Sequence, residues 1–146
     1  MSTTAHDMEV TQRIEFECCY LFYGVLEAHR CKMEVTVAGP QRFEDHGVVI
    51  TYAALRDYMK QIVPDKSFVY CRSDPSGVYV GKAFQDVNCS VKEYDFPISA
   101  ENLCKQFAEE LQDLFDVREP GIQILDMKLR EDNNSFVSWR RYDSVR

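Results

Sequence analysis

The chain predicts a single α+β domain spanning residues 1–146, with four antiparallel strands and two helices in the order strand, strand, helix, helix, strand, strand. Three observations carry that reading. Two neighbouring stretches near the start alternate strictly, two capped segments space their apolar residues as helices do, and two strand-like runs close the chain around Asp132-Asn133-Asn134.

In the first stretch, Val10, Gln12, Ile14, Phe16, Cys18 and Tyr20 share one side of a strand, and Thr11, Arg13, Glu15, Glu17 and Cys19 the other. Phe22-Tyr23-Gly24-Val25 turns the chain, Gly24 being free of the usual backbone limits. The second stretch, from Glu27 to Ala38, sets His29, Cys31, Met33, Val35 and Val37 against Arg30, Lys32, Glu34 and Thr36, and Gly39-Pro40 ends it. Two half-buried strands joined this tightly form an antiparallel hairpin.

Thr51 is an N-cap for a helix over Tyr52–Val63, whose Tyr52, Leu55, Met59 and Ile62 face the sheet; Pro64 stops it. Ser99 caps a second helix reaching Asp116, with Leu103, Phe107, Leu111 and Leu114 as its apolar stripe and Glu101 favouring its N-terminal dipole. Strands over Ile122–Glu131 and Ser135–Tyr142 follow. Between the helices, Asp74-Pro75-Ser76-Gly77 reads as a turn between Phe68-Val69-Tyr70 and Val78-Tyr79-Val80, an inserted hairpin or ordered excursion.

Composition narrows the function. A formal charge of -7 argues against a nucleic-acid partner, so an anionic substrate would need a local cluster of Lys and Arg. No apolar run is long enough to span a bilayer, and the start carries no signal-peptide pattern. A cytoplasmic location is therefore expected. The six cysteines, none in a CxxC pair, are then reduced thiols, most of them buried as small apolar residues.

Several motifs in this order resemble the 6-pyruvoyltetrahydropterin and 6-carboxytetrahydropterin synthase family. Leu26-Glu27-Ala28-His29-Arg30-Cys31-Lys32-Met33-Glu34-Val35-Thr36-Val37 resembles the family strand L-H-G-H-N-Y-K-V-E-V-T-V. Gly47 to Leu55 resembles G-x-V-x-D-F-x-x-L, with Thr51 in the Asp place, and Ser99-Ala100-Glu101-Asn102-Leu103 resembles T-A-E-N-L. Leu129-Arg130-Glu131 resembles the V-x-E whose Glu grips the pterin ring. The resemblance implies the tunnelling fold, a four-stranded sheet with two helices on one face. It also implies a homo-oligomer built from trimers, such as a hexamer, whose sheet edges pair between subunits to close a barrel.

The departures fall on the family's chemistry, in which zinc polarises side-chain oxygens of a dihydropterin triphosphate while a Cys and an Asp-His pair move protons. Tyr20 stands for the first zinc His, Glu27 for the second, Tyr23 for the Cys, and Lys66 for the His after Asp65; only His29 remains of the zinc set. A catalytic zinc needs three firm protein ligands, and a phenol keeps its proton at neutral pH. No cofactor is therefore expected. Glu27, His29 and Cys31 alternate onto one side of a strand, with Cys18 on its neighbour, and could form a substitute zinc set; the other reading is a buried, hydrogen-bonded His29 beside an inert Cys31.

The leading expectation is a divergent member without the standard zinc-dependent activity. It would bind a pterin- or purine-like heterocycle through Glu131, with Ser99 and Glu101 nearby, or act as an oligomeric structural protein. The alternative is an active carbon–oxygen lyase with an altered site in pterin or 7-deazaguanine biosynthesis, using Asp65 and Lys66 as catalytic residues.

Overall fold

The computed structural model describes residues 7–142. Its elements are β1 (Asp7–Phe22), β2 (Val25–Pro40), α1 (Tyr52–Ile62), β3 (Ser67–Cys71), α2 (Pro75–Asp86), β4 (Ser90–Tyr94), α3 (Ala100–Arg118), β5 (Gln123–Arg130) and β6 (Phe136–Arg140). The expected element order holds, but the sheet has six strands rather than four, in the order β4-β3-β1-β2-β5-β6.

The long hairpin is the spine of the sheet. β1 and β2 pair antiparallel along their whole length, from Asp7 opposite Pro40 to Phe22 opposite Val25. Tyr23 and Gly24 close it at φ 51° and 79°, a two-residue turn whose twist matches that of the strands. The alternation sets the buried face: Ile14, Phe16, Cys18 and Tyr20 from β1 and Cys31, Met33, Val35 and Val37 from β2 are all buried. Helices α1 and α3 cover this face with Leu55, Met59, Leu103, Phe107, Leu111 and Phe115, and Phe16 meets Phe107 edge-on at 5.8 Å. Each such side chain contributes about 1.5–3 kcal/mol by leaving water.

Both helix caps form as the sequence indicates. Thr51 Oγ1 accepts from the Ala54 amide at 3.1 Å and Ser99 Oγ from the Asn102 amide at 3.1 Å. Two side-chain assignments change. Tyr52 is 66% exposed at the first position of α1, before the helix has turned its apolar side to the sheet. In α3 the buried stripe runs 103, 107, 111, 115, so Phe115 is buried where Leu114 was expected.

The insertion is a parallel β-α-β unit, not a hairpin. β3 pairs parallel with β1, and β4 pairs parallel with β3; a helical crossover is what parallel neighbours require. Asp74 accepts from the Ser76 amide at 3.2 Å as the N-cap of α2, and Pro75 opens the helix. A Cβ on Gly77 would lie 3.1 Å from Tyr70 Cβ, and one on Gly81 2.9 Å from Tyr70 Cε1. These two glycines let α2 lie directly on β3.

This placement puts α2 on the face of the sheet away from α1 and α3. Val69 joins the core under those helices, and neighbouring strand residues point to opposite faces. Phe68 and Tyr70 are therefore turned toward α2, where Phe68 stacks on Phe84 at 4.9 Å.

At the other side of the sheet, the Gln112 side chain of α3 donates to the Ile122 carbonyl and accepts from the Ile124 amide, at 3.0 and 2.8 Å. It fixes the start of β5. The strand then runs antiparallel to β2 until Lys32 faces Arg130, leaving Glu131 one residue beyond the last pair. Among the described residues no helix is long and apolar enough to cross a membrane.

Candidate functional site

Register brings the candidate residues together. Cys18 faces His29 and Tyr20 faces Glu27 across the hairpin, while the end of β5 delivers Glu131 beside them. Asp132 Oδ1 accepts from the amides of Asn134 and Ser135 at 2.7 and 2.9 Å, holding the turn that follows Glu131.

The Tyr20 hydroxyl donates to Glu131 Oε2. His29 Nε2 lies 3.0 Å from Glu27 Oε1 and 3.6 Å from Glu131 Oε2, with its ring 5.3 Å from that of Tyr20. Burial and then the bond to Glu131 push the Tyr20 phenol well above its usual range, so it remains a donor. Cys31 Sγ lies 4.0 Å from Cys18 Sγ. That contact, followed by burial, raises the Cys31 thiol strongly, so it is not a thiolate at neutral pH.

Four groups thus form a chain of polar contacts, Tyr20–Glu131–His29–Glu27, three of them at the positions that the resemblance matches to zinc histidines. The donors present do not fit a catalytic zinc. Tyr20 is a protonated phenol committed to Glu131, Cys31 is a thiol, and Glu27 and His29 engage each other. Among the described residues no group of three His, Cys, Asp or Glu side chains is placed to hold a metal ion.

Glu131 opens on a cavity of about 310 Å³ lined by Ala28, His29, Arg30, Lys32, Arg130 and the turn Asp132–Asn133. Arg30 is paired with Glu17 at 3.1 Å, and Arg130 lies over the Phe136 ring at 4.8 Å. With Arg30 held by Glu17, Lys32 and Arg130 are the cations that this cavity offers an anionic group. No motif in the sequence marks them. Their signal was the alternation that set Arg30 and Lys32 on one side of a strand, with Arg130 beside Glu131.

The remaining candidates lie elsewhere. Asp65 Oδ1 accepts from the Glu17 amide at 2.9 Å, and the Lys66 amide donates to the Glu17 carbonyl at 2.5 Å. The pair clips the start of β3 to β1, and no hydrogen bond or ion pair joins either residue to Tyr20, His29 or Glu131. Tyr23, in the place of the family's Cys, sits at the hairpin tip with 92% exposure. Ser99 caps α3 and lines a second cavity, of about 390 Å³, with Tyr23, Tyr70, Asp74 and Pro97. Glu101 is exposed in the first turn of α3.

The family model for 6-pyruvoyl tetrahydropterin synthase matches residues 25–142. The chain belongs to that family. Among curated proteins, none matches the sequence. Its fold is similar to that of the uncharacterized protein WS1659 from Wolinella succinogenes, with a TM-score of 0.73 at 12% identity over 93% of this chain and 99% of that one. It is also similar to the 6-pyruvoyl tetrahydropterin synthases of Plasmodium vivax and Plasmodium falciparum. The first gives a TM-score of 0.63 at 13% identity over 92% and 98% of the two chains, and the second 0.60 at 16% over 94% and 99%. The protein is a pterin-synthase family member with an α+β tunnelling fold, widened by the β3-α2-β4 unit to six strands.

Proposed function

We propose that this pterin-synthase family member binds a pterin- or purine-like heterocycle at Glu131 without the family's zinc-dependent lyase chemistry. The observation that supports this best is the hydrogen bond from Tyr20 to Glu131. The residue in the first zinc-ligand position is used to hold the ring-gripping carboxylate. Tyr20 occupies one lone pair of Oε2, which leaves Oε1 and the other Oε2 lone pair for adjacent N–H donors on a planar ring. Lys32 and Arg130 around the same cavity favour a heterocycle whose substituent carries negative charge. The lyase alternative has less support: Asp65 is spent on the Glu17 amide and Lys66 is exposed, so the pair offers no proton relay to Glu131.

Assembly from trimers belongs to the same proposal. β2 runs from Val25, but β5 pairs only from Lys32 onward, so the hairpin end projects past that neighbour with Val25 60% and Leu26 52% exposed. A projecting edge with apolar side chains suits pairing with another copy.

Calorimetry against pterins, guanine and 7-deazaguanines tests the binding reading. The native protein should bind at least one of them. Glu131→Gln places an amide donor against a ring donor and should weaken binding by about tenfold or more. Binding of none by the native protein, or equal binding by the variant, contradicts the assignment.

A further inference from the structure

The widened sheet creates a second hollow, on the face that carries α2. Phe68, Cys19 and Ala28 are direct cross-strand neighbours on β3, β1 and β2. Two small side chains therefore follow a large one along a single row of the sheet. Phe84 of α2 stacks on Phe68 and stands as a wall beside that step. The result is a cavity of about 420 Å³, within the size range of small-molecule sites. Lys66 and Cys89 also line it, and the Glu17–Arg30 pair closes its far side.

The chemistry of the walls defines an occupant. Burial raises the Cys19 thiol, so the floor is uncharged at neutral pH. Arg30 is neutralised by Glu17 at 3.1 Å. Lys66 has no side-chain hydrogen bond or ion pair among the described residues, which leaves it as the free cation of the cavity. Its backbone holds φ 56°, a left-handed conformation that is costly for a residue other than glycine, and its amide is tied to the Glu17 carbonyl. Against a chain of net charge -7, one unpaired ammonium beside two phenylalanines selects a particular kind of molecule.

We propose that this cavity is a binding site for a small molecule with a flat apolar body and one acidic group, its ring against Phe68 and Phe84 and its anion on Lys66. The cavity borders the one at Glu131, with which it shares Ala28, His29 and Arg30, but Phe68, Phe84 and Lys66 line it alone, so the proposal does not rest on the reading of Glu131.

The test uses 1-anilinonaphthalene-8-sulfonate, a flat apolar anion, and follows its fluorescence together with iodoacetamide labelling of Cys89 by mass spectrometry. The full chain should bind one equivalent, and the bound probe should slow alkylation of Cys89 by about fivefold or more. Lys66→Met should weaken binding by about fivefold or more while Lys66→Arg keeps it, as a charge contact requires. Cys19→Leu, which fills the floor from a half-buried strand position that lines this cavity and not the one at Glu131, should abolish it, and Tyr23→Ser at the apolar hairpin tip should leave it unchanged. Native-strength binding by Lys66→Met, unaltered Cys89 labelling, or loss of the signal in Tyr23→Ser overturns the proposal; circular dichroism shows that each variant is folded.

Discussion

The Glu131 cluster and the groove beside α2 use the same two strands in opposite ways. On the face under α1 and α3, Tyr20, His29 and Glu27 are polar groups that satisfy one another and Glu131. On the other face, Cys19 and Ala28 are small groups that leave room. The first region is a cluster of mutually bonded polar groups, which the proposed function reads as a family site without its metal. The second lies beside the β3-α2-β4 unit at the sheet edge, which supplies Phe68 and Phe84 as its wall. Cys19 and Tyr20, one step apart in sequence, thus serve different sites, because a strand turns successive side chains to opposite faces.

The two cavities share Ala28, His29 and Arg30, but changes at residues that belong to one region alone should leave the other untouched, and the largest effect is expected at Tyr20. Tyr20→Phe removes the hydroxyl that satisfies Glu131 and should cost about 1–3 kcal/mol in urea denaturation, while sulfonate binding in the groove is unchanged. Loss of both would show that the two faces are coupled. Next in size is Asp74→Ala, which removes the N-cap of α2 and should cost about 1 kcal/mol. It should loosen the groove wall at Phe84 and leave heterocycle binding at Glu131 intact, as read by the two binding assays side by side.

A smaller effect separates the regions by pH. The Tyr20 phenol is raised in the folded state, so the folded protein holds that proton where the unfolded chain releases it. Its contribution is complete below the ordinary tyrosine pKa of about 10 and is lost as pH rises beyond it. Stability measured from pH 8 to about 11 should therefore fall less steeply in Tyr20→Phe than in the native protein. Equal slopes would mean that the phenol is not held by Glu131.

The hairpin and both caps were legible because each depends on nearby residues: alternation for β1 and β2, and Thr51 and Ser99 for α1 and α3. The insertion was not. Asp74-Pro75-Ser76-Gly77 satisfies the rules for a turn and for a helix start equally well, and Val78-Tyr79-Val80 carries strand-forming residues. What decides the matter is distant in sequence: Gly77 and Gly81 meet Tyr70, and Phe84 meets Phe68. β3 and β4 have five residues each, too few to show a period. At the site, the motifs singled out Tyr20, Glu27, His29 and Glu131, and the fold brings these four side chains together. The reach of Tyr20 could not, because it depends on three strands in register, with Lys32 opposite Arg130. Arg30 and Lys32 were visible as one side of a strand, but only the fold shows that Arg130 joins them.

The central claim is that Glu131, held by the Tyr20 hydroxyl beside the His29–Glu27 pair, takes a ring without a zinc ion next to it. Native mass spectrometry with elemental analysis on one preparation tests it directly. The predicted result is a multimer that takes up a pterin or guanine-like ring with zinc well below one equivalent. About one zinc per chain, lost on His29→Ala together with ring binding, would contradict it, since a firm site of that kind needs the three donors this arrangement does not supply.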